Sequence, residues 1–225
     1  MSGILIYSEK EAKRNIFAIN KFKENLDIKL ADENYDGKAD FVINRTNNYI
    51  IAQKFEQKGI RVFNPSSLSM LANNKQLCYE FMYKNGIEIL PINYSEIPAV
   101  KEKFEPGFVY QKPCATLGKD LRVWAIGGKI ITAILRESDT DFRSNFCLGG
   151  KATPYELNHD ETALVKKVLS LIKSDYIGID FLFDNGHLIF NEIEDTVGAR
   201  MVYDKTDIDI IKLYCNYIKK EVGTK

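Results

Sequence analysis

The sequence lacks the features that mark secreted, membrane-spanning and disulfide-bonded proteins. Its first apolar run, ILIY at residues 4–7, is followed directly by polar and charged residues, and is too short for a signal peptide or a membrane span. The cysteines Cys78, Cys114, Cys147 and Cys215 are far apart and form no Cys-x-x-Cys pair. We therefore expect reduced thiols, no zinc or redox motif, and a soluble cytoplasmic protein.

An excess of either charge is also missing. The 31 basic and 31 acidic residues cancel, and no Lys/Arg block interleaved with aromatic residues occurs, so a nucleic-acid partner is disfavoured. No Gly-x-Gly-x-x-Gly follows the first apolar run, so the fingerprint of a dinucleotide-binding fold is absent. Neither absence excludes a local site for phosphate groups.

The composition is that of a globular protein, with 225 residues of which 45% are hydrophobic and 28% charged. Residues 1–64 alternate short apolar runs with helix-like stretches over 9–25 and 47–58. This β-α-β-β-α-β rhythm predicts a mostly parallel sheet covered by helices. Taken alone, it would also fit a plain sugar- or nucleotide-binding α/β domain. Two helical pieces follow, at 66–71 and 73–84, and Asn85-Gly86 is typical of a helix end.

The second half of the chain predicts antiparallel hairpins. The segments DLRVWAI and KIITAILR are joined by Gly127-Gly128, and YIGIDFLF and HLIFNEIE are joined by the turn DNG. A polar loop is expected over 138–157. Helices are expected over 159–174 and 205–222, which makes this half α+β.

Three acids gather near the end of the last predicted strand. Alternate residues of a strand share a face, so Glu192 and Glu194 point the same way. Asp180 joins them, within diagonal reach of Glu192, if the turn leaves an odd number of residues unpaired. Carboxylates that converge repel one another, and a hard divalent cation such as Mg²⁺ or Mn²⁺ relieves the repulsion. The alternative is a solvated strand end at which Glu194 and Asp195 pair with Arg200.

Arginines lie on the neighbouring segments. Arg122 and Arg136 are expected on adjacent strands of the first hairpin, and Arg143 lies in the polar loop. Arginines so placed could hold phosphate oxygens opposite a metal ion. Each of them taken singly is better explained by a surface salt bridge.

A set of motifs in order resembles the ATP-grasp superfamily, RimK-type branch: NNKQLCYEFMYKNGIEILP, VYQKP, GKDLRVWAIGGKIITAILR, DFRSNFCLGG, GIDFLF and FNEIEDTVGARM. The resemblance runs from about residue 40 to the C-terminus. It implies an α/β plus α+β fold in three parts. These are an N-terminal parallel α/β subdomain (1–71), a helical bridge with a reduced lid (72–107), and a C-terminal antiparallel-sheet ATP-grasp subdomain (108–225).

The resemblance also implies residue roles, with ATP and Mg²⁺ (or Mn²⁺) as cofactors. The implied metal ligands are Asp180, Glu192 and Glu194, the last of which stands where the family usually has asparagine. The implied nucleotide contacts are Lys75 on the phosphates, Gln111, Lys112, Pro113 and Cys114 at the adenine hinge, with Lys112 as a candidate second phosphate lysine. The implied catalytic groups are Arg122 and Arg136 around the transferred phosphate, with Arg143 and Asn145 facing the acceptor.

One departure from the family concerns the lid. Only nineteen residues separate Pro91 from Gln111, without a glycine-rich run, where the family normally has several dozen residues. The resemblance implies a carboxylate–amine or carboxylate–thiol ligase that acts through an acyl-phosphate on an amino acid or peptide. The short lid leaves a second hypothesis, a catalytically impaired nucleotide-binding relative with a regulatory or partner-binding role. A neighbouring copy could complete the lid, so a homo-oligomer is compatible with either hypothesis.

Overall fold

Two β-sheets and eight helices account for the residues that the computed structural model describes, which are 1–92, 111–138 and 150–223. The first sheet has four parallel strands in the order β2-β1-β3-β4. Its strands are β1 (Gly3–Ile6), β2 (Ile28–Ala31), β3 (Phe41–Asn44) and β4 (Arg61–Phe63). Its helices are α1 (Glu9–Arg14), α2 (Ile16–Asn25) and α3 (Tyr49–Gln57). The predicted parallel sheet is confirmed.

Two helices lead from this sheet to the second one. They are α4 (Ser66–Ala72) and α5 (Lys75–Lys84). The start of α5 is set by Asn74, whose side-chain oxygen accepts from the Leu77 amide at 3.0 Å. The chain leaves the helix at Gly86, whose φ of 71° is the left-handed conformation that glycine adopts without strain. Both predicted helical pieces are thus present.

The second sheet has five antiparallel strands in the order β7-β6-β5-β8-β9. The strands are β5 (Lys119–Ile126), β6 (Lys129–Glu137), β7 (Lys151–Pro154), β8 (Tyr176–Asp184) and β9 (His187–Glu194). Both predicted hairpins are confirmed, and each closes with a two-residue turn. Gly127, Gly128, Asn185 and Gly186 all have positive φ, as the tightest hairpin turns require.

The remaining helices are α6 (His159–Leu171), α7 (Arg200–Lys205) and α8 (Ile210–Gly223). Two predictions were wrong here. The segment expected to be a polar loop contains strand β7, and the closing helix begins at Ile210 instead of residue 205. The Asp209 carboxylate accepts from the Lys212 amide at 3.1 Å, which fixes that later start.

Helix α8 lies between the two sheets. Its Ile211, Tyr214 and Ile218 belong to one buried cluster with Leu5 of the parallel sheet and Trp124 of the antiparallel sheet. The outer face of the parallel sheet packs on α3, and the outer face of the antiparallel sheet packs on α5 and α6. Within the described ranges, no helix has the length and apolar composition needed to cross a membrane.

The buried side-chain amide of Asn64 joins the parallel sheet to the antiparallel sheet. The Asn64 side-chain nitrogen donates to the carbonyls of Tyr176 (2.8 Å) and Asp195 (2.9 Å). Its oxygen accepts from the amides of Asp175 (2.7 Å) and Tyr176 (3.0 Å). Four backbone groups at the start of β8 and the end of β9 are therefore satisfied by one side chain.

Replacing Asn64 with alanine should leave those four buried groups without partners. We expect a free energy of unfolding lower by about 3 kcal/mol or more, measured by urea denaturation. The exposed Asn34 is the matched control, and Asn34→Ala should change stability by less than about 0.5 kcal/mol. Equal stability of the Asn64→Ala variant and the wild type would contradict this assignment.

Candidate functional site

A cluster of charged side chains lies on one face of the antiparallel sheet. Its position follows from the strand register, in which Arg122 lies opposite Asp180 and Asp180 lies opposite Glu192. Residues directly opposite one another across antiparallel strands point to the same face. The whole cluster consists of Asp120, Arg122, Arg136, Asp180, Glu192 and Glu194 on four strands, with Lys75 from the start of α5.

A β-bulge brings Asp180 to the same face as the two glutamates. Counting back from the two-residue turn, a regular ladder would place Asn191 opposite Asp180 and would turn Glu192 to the other face. The register instead shifts between Asp180 and Phe181, so that Asn191 is the extra residue. The predicted shared face is thus present, but an odd turn does not cause it, and Glu192 lies directly opposite Asp180 instead of diagonally.

Arg122 is the centre of the cluster. Its Nε and Nη2 atoms donate to the two carboxylate oxygens of Asp180, both at 2.6 Å. Its Nη2 also donates to Glu194 Oε1 at 2.7 Å. The side chains of Arg122 and Asp180 are only 13% and 3% exposed, so this bidentate pair is shielded from water.

A second arginine closes the other side of Asp180. Arg136 Nη2 donates to Asp180 Oδ2 at 2.8 Å, and Arg136 Nε donates to Asp120. Sequence reasoning missed Asp120, although its place two residues before Arg122 on one strand was a usable signal. We expected these arginines to lie opposite a metal ion held by the acids, whereas the structure places them in direct contact with the acids.

Lys75 completes the cluster from the helix side. Its ammonium nitrogen lies 2.9 Å from Glu192 Oε2, and its side chain is 57% exposed. The Asn74 cap at the start of α5 fixes the position of the lysine relative to β9. One phosphate-binding lysine implied by the resemblance therefore touches one of the three implied metal ligands.

Burial and charge shift the pKa values of the cluster in different directions. Burial raises the pKa of Asp180, but Arg122 and Arg136 outweigh it, so that the pKa is lowered overall. Burial also raises the pKa of Glu194 above its ordinary value, because one arginine does not offset both desolvation and the neighbouring acids. With four carboxylates and three cations, the fully ionised cluster keeps one excess negative charge.

The strand-end alternative for these acids was wrong. Glu194 pairs with Arg122, and Asp195 is buried, with Oδ1 accepting from the Asn73 amide group at 3.1 Å. Arg200, the partner expected by that alternative, is exposed and donates to the Arg14 carbonyl at 3.5 Å.

The loop after β9 is held by a residue that sequence reasoning also missed. Arg45 follows β3 of the parallel sheet, and its Nη2 donates to the carbonyls of Thr196 (2.8 Å) and Val197 (2.6 Å). Nothing in the sequence distinguishes Arg45 from a surface arginine. The N-terminal sheet thereby positions the segment that carries Glu194.

The predicted adenine hinge lies beside the bulge. Tyr79 OH is 3.4 Å from both Gln111 Oε1 and Asn191 Oδ1, so one phenol links the hinge to the bulge. Lys112 and Pro113 are exposed, and the Lys112 amide donates to the Pro91 carbonyl at 3.0 Å.

The remaining predicted site residues give less information about the site. Cys114 is partly buried, and burial raises the pKa of its thiol. Arg143, Asn145 and most of the segment between Pro91 and Gln111 lie outside the described residues.

The acids suit a divalent cation. One oxygen from each of Asp180, Glu192 and Glu194 lies within 4.8 Å of the others. An octahedral magnesium ion, with bonds of about 2.1 Å, needs oxygen ligands about 3–4 Å apart, so a small inward movement would suffice. The donor set consists only of carboxylate oxygens, the type that Mg²⁺ and Mn²⁺ prefer. Arg122 contacts both oxygens of Asp180, and Lys75 contacts Glu192, so a metal ion would compete with both cations for these acids.

Comparison with known proteins identifies the family that this chain resembles. Residues 107–218 match the model of the RimK-like ATP-grasp domain. Uncharacterized protein MG011 of Mycoplasma genitalium is 24% identical over 94% of this chain and 90% of its own length. A probable alpha-L-glutamate ligase of Maridesulfovibrio salexigens is 30% identical over 46% of this chain, but only 35% of the ligase is covered.

Solved structures agree at the level of the fold. The ATP-grasp ligase PsnB, in complex with a phosphomimetic variant of its minimal precursor, Mg and ADP, superposes with a TM-score of 0.73. The two chains are 12% identical, and 98% of each is covered. The α/β plus α+β architecture expected from the sequence is therefore that of an ATP-grasp protein.

Replacing Asp180 with asparagine should remove the charge on which both arginines converge. We expect a free energy of unfolding lower by about 3 kcal/mol at neutral pH. Because the folded pKa of Asp180 is lowered, its charge stabilises the fold above the unfolded pKa near 3.8, and this stabilisation is lost as the pH falls through the folded pKa. The difference from wild type should therefore shrink below about pH 4.

Urea denaturation of both proteins across that pH range, without divalent cations, measures the effect. The exposed Asp27 supplies the control, since Asp27→Asn breaks no buried ion pair and should leave the free energy of unfolding close to that of the wild type. A difference for Asp180→Asn that grows on acidification would overturn the proposed role of the two arginines.

Proposed function

We propose that this chain, which belongs to the RimK-type branch of the ATP-grasp superfamily, is an ATP- and magnesium-dependent ligase. It would join a carboxylate to an amine or a thiol. The observation that carries the proposal is the charged cluster on β5, β6, β8 and β9. It combines a carboxylate set suited to Mg²⁺ with two arginines and a lysine able to contact phosphate oxygens. Acids that can hold a metal ion, next to cations that can contact phosphate oxygens, are groups that phosphoryl transfer uses.

The acids have the first role in this proposal. Asp180, Glu192 and Glu194 would hold Mg²⁺, which when bound neutralises charge on the phosphates and orients them. Asp180 is suited to this because its lowered pKa keeps it ionised at any physiological pH. Glu194 has a raised pKa, so a cation beside it would favour its ionised form and would release any proton it carries.

The basic residues have the second role. Lys75 and Arg122 now contact carboxylates that a metal ion would neutralise, so their charge would become available to the phosphates. Arg136 would keep its bond from Nε to Asp120 and would contact the transferred group through another nitrogen of the guanidinium. Asp120 is therefore a positioning residue for Arg136.

The reaction would follow in two displacements. A carboxylate oxygen of the substrate attacks the γ-phosphorus of ATP, the bond to the β,γ-bridging oxygen breaks, and ADP leaves. The amine nitrogen or thiol sulfur then attacks the acyl carbon, phosphate leaves, and the nucleophile loses its proton. The substrate carboxylate and nucleophile belong to an amino acid or peptide in this proposal, with Arg143 and Asn145 toward the acceptor. Adenine would lie at Gln111, Lys112, Pro113 and Cys114.

A second candidate function has its own support. Without any metal ion, Asp180, Glu192 and Glu194 already have a cationic partner within the chain. Together with the nineteen residues between Pro91 and Gln111, this self-neutralised cluster also fits a protein that binds nucleotide without turnover. A cytoplasmic location and a homo-oligomer stay predictions under either function.

ADP formation separates the two functions. Purified protein with ATP, Mg²⁺ and a panel of amino acids and short peptides should form ADP in the presence of at least one substrate. Glu192→Gln should reduce the rate by about 10²-fold or more, because one metal ligand loses its charge. Glu88→Gln, at an exposed position, is the matched control and should retain the rate.

Two other outcomes are informative. Calorimetric binding of ATP with Mg²⁺ but no ADP with any substrate would favour the nucleotide-binding function. If the protein neither binds ATP nor forms ADP, both functions are ruled out.

A further inference from the structure

Lys75 is the most exposed cation of the charged cluster. Its side chain and that of Glu192 are 57% and 27% exposed, and one N–O distance of 2.9 Å joins them. Arg122 and Asp180 instead are 13% and 3% exposed and share two bonds of 2.6 Å. Lysine carries its charge on a flexible four-carbon chain, whereas a buried bidentate arginine is held in one geometry. Lys75 is therefore the cation of the cluster that can leave its acid most readily.

Lys75 also lies at an unfavourable end of its helix. It is the first residue of α5, and the first turn of that helix contains no acid. The N-terminal end of a helix carries partial positive charge, which disfavours a cation and favours an anion. Within the described ranges, Glu192 is the only acid that forms an ion pair with Lys75. The position of this lysine is therefore stabilised by an anion from another element, either the Glu192 carboxylate or a bound anionic group.

The net charge of the cluster decides which of these anions Lys75 contacts. With all groups ionised, four carboxylates and three cations leave one excess negative charge. With a divalent cation added alone, the cluster would have one excess positive charge, and Lys75 would be repelled from Glu192 without another acid to bind. The phosphates of a nucleotide supply the anion that Lys75 would then need. Lys75 thus opposes the binding of metal alone, but not the binding of metal together with nucleotide.

We propose that Lys75 holds Glu192 in the free protein and exchanges it for phosphate when a nucleotide binds. Glu192 then becomes available to the divalent cation. The cation and the nucleotide would therefore bind cooperatively, and free Mg²⁺ would bind the acids only weakly. This inference rests on the proposed function for the roles of the acids and of Lys75, and it adds the coupling between the two ligands.

Binding of Mn²⁺ without nucleotide tests the first part of the proposal. Free Mn²⁺ is measured by electron paramagnetic resonance in a titration of the full chain. Lys75→Met should bind Mn²⁺ about tenfold more tightly than the wild type, because Glu192 loses its competing cation. Lys84→Met is the matched control, since it removes an exposed lysine from the other end of α5 and should bind Mn²⁺ as the wild type does. Lys75→Arg, which keeps the charge, should also bind as the wild type does.

Binding of nucleotide without metal tests the second part. A fluorescent ATP analogue, N-methylanthraniloyl-ATP, is titrated with protein in the presence of EDTA. Lys75→Met should bind it about tenfold more weakly, because one contact with the phosphates is lost. Glu192→Gln should bind it about threefold more tightly than the wild type, because Lys75 no longer has an acid to leave. Glu88→Gln, at an exposed position, is the control and should leave the affinity unchanged.

The proposal requires opposite effects of Lys75→Met on the two ligands, since a variant that only disturbs the fold would weaken the binding of both. Equal affinity of Lys75→Met and the wild type for Mn²⁺ alone would overturn it, as would weaker metal-free nucleotide binding by Glu192→Gln. The proposed function survives either result if the wild type still forms ADP. If no variant binds Mn²⁺, with or without nucleotide, the proposed metal site fails and this inference fails with it.

Discussion

The buried pair of Arg122 and Asp180 is the interaction on which the rest of the site depends. Two strands in the middle of the antiparallel sheet place these residues directly opposite each other, and their bidentate contact excludes water. Removing either partner would break this buried bidentate ion pair, at a cost of about 3–5 kcal/mol. The pair also keeps Asp180 ionised in a place where burial alone would raise the pKa of that carboxyl.

Around that pair, the fold brings together groups from distant parts of the chain. The bulge at Asn191 places Glu192 opposite Asp180, and the Asn74 cap places Lys75 beside Glu192. Asn64 and Arg45 tie the ends of β8 and β9 to the parallel sheet through backbone groups. The parallel sheet and the residues that follow its strands thereby support the charged cluster.

Sequence reasoning reached the architecture, because its signals are local. Alternating apolar and amphipathic segments identify the parallel sheet, and Gly127-Gly128 and Asn185-Gly186 identify both hairpins.

Sequence reasoning failed for features that depend on residues far apart in the sequence. Strand β7, with the residues KATP, contains proline and no apolar alternation, and exists because its partner β6 is present. The bulge at Asn191 has no residue signature, so the sequence does not specify the strand register that places Glu192 opposite Asp180. Direct contacts of arginines with acids were likewise unpredictable, because Arg122 could equally have pointed to solvent.

The central claim is that Asp180, Glu192 and Glu194 together bind a divalent cation beneath the phosphates of a nucleotide. Anomalous diffraction from crystals grown with Mn²⁺ and a non-hydrolysable ATP analogue tests it most directly, because manganese can be located without assuming its ligands. The account predicts one strong peak within coordination distance, about 2.2 Å, of an oxygen from each acid, next to phosphate density. Nucleotide density with no manganese peak among these three carboxylates, and with Arg122 still bound to Asp180 and Glu194, would contradict it.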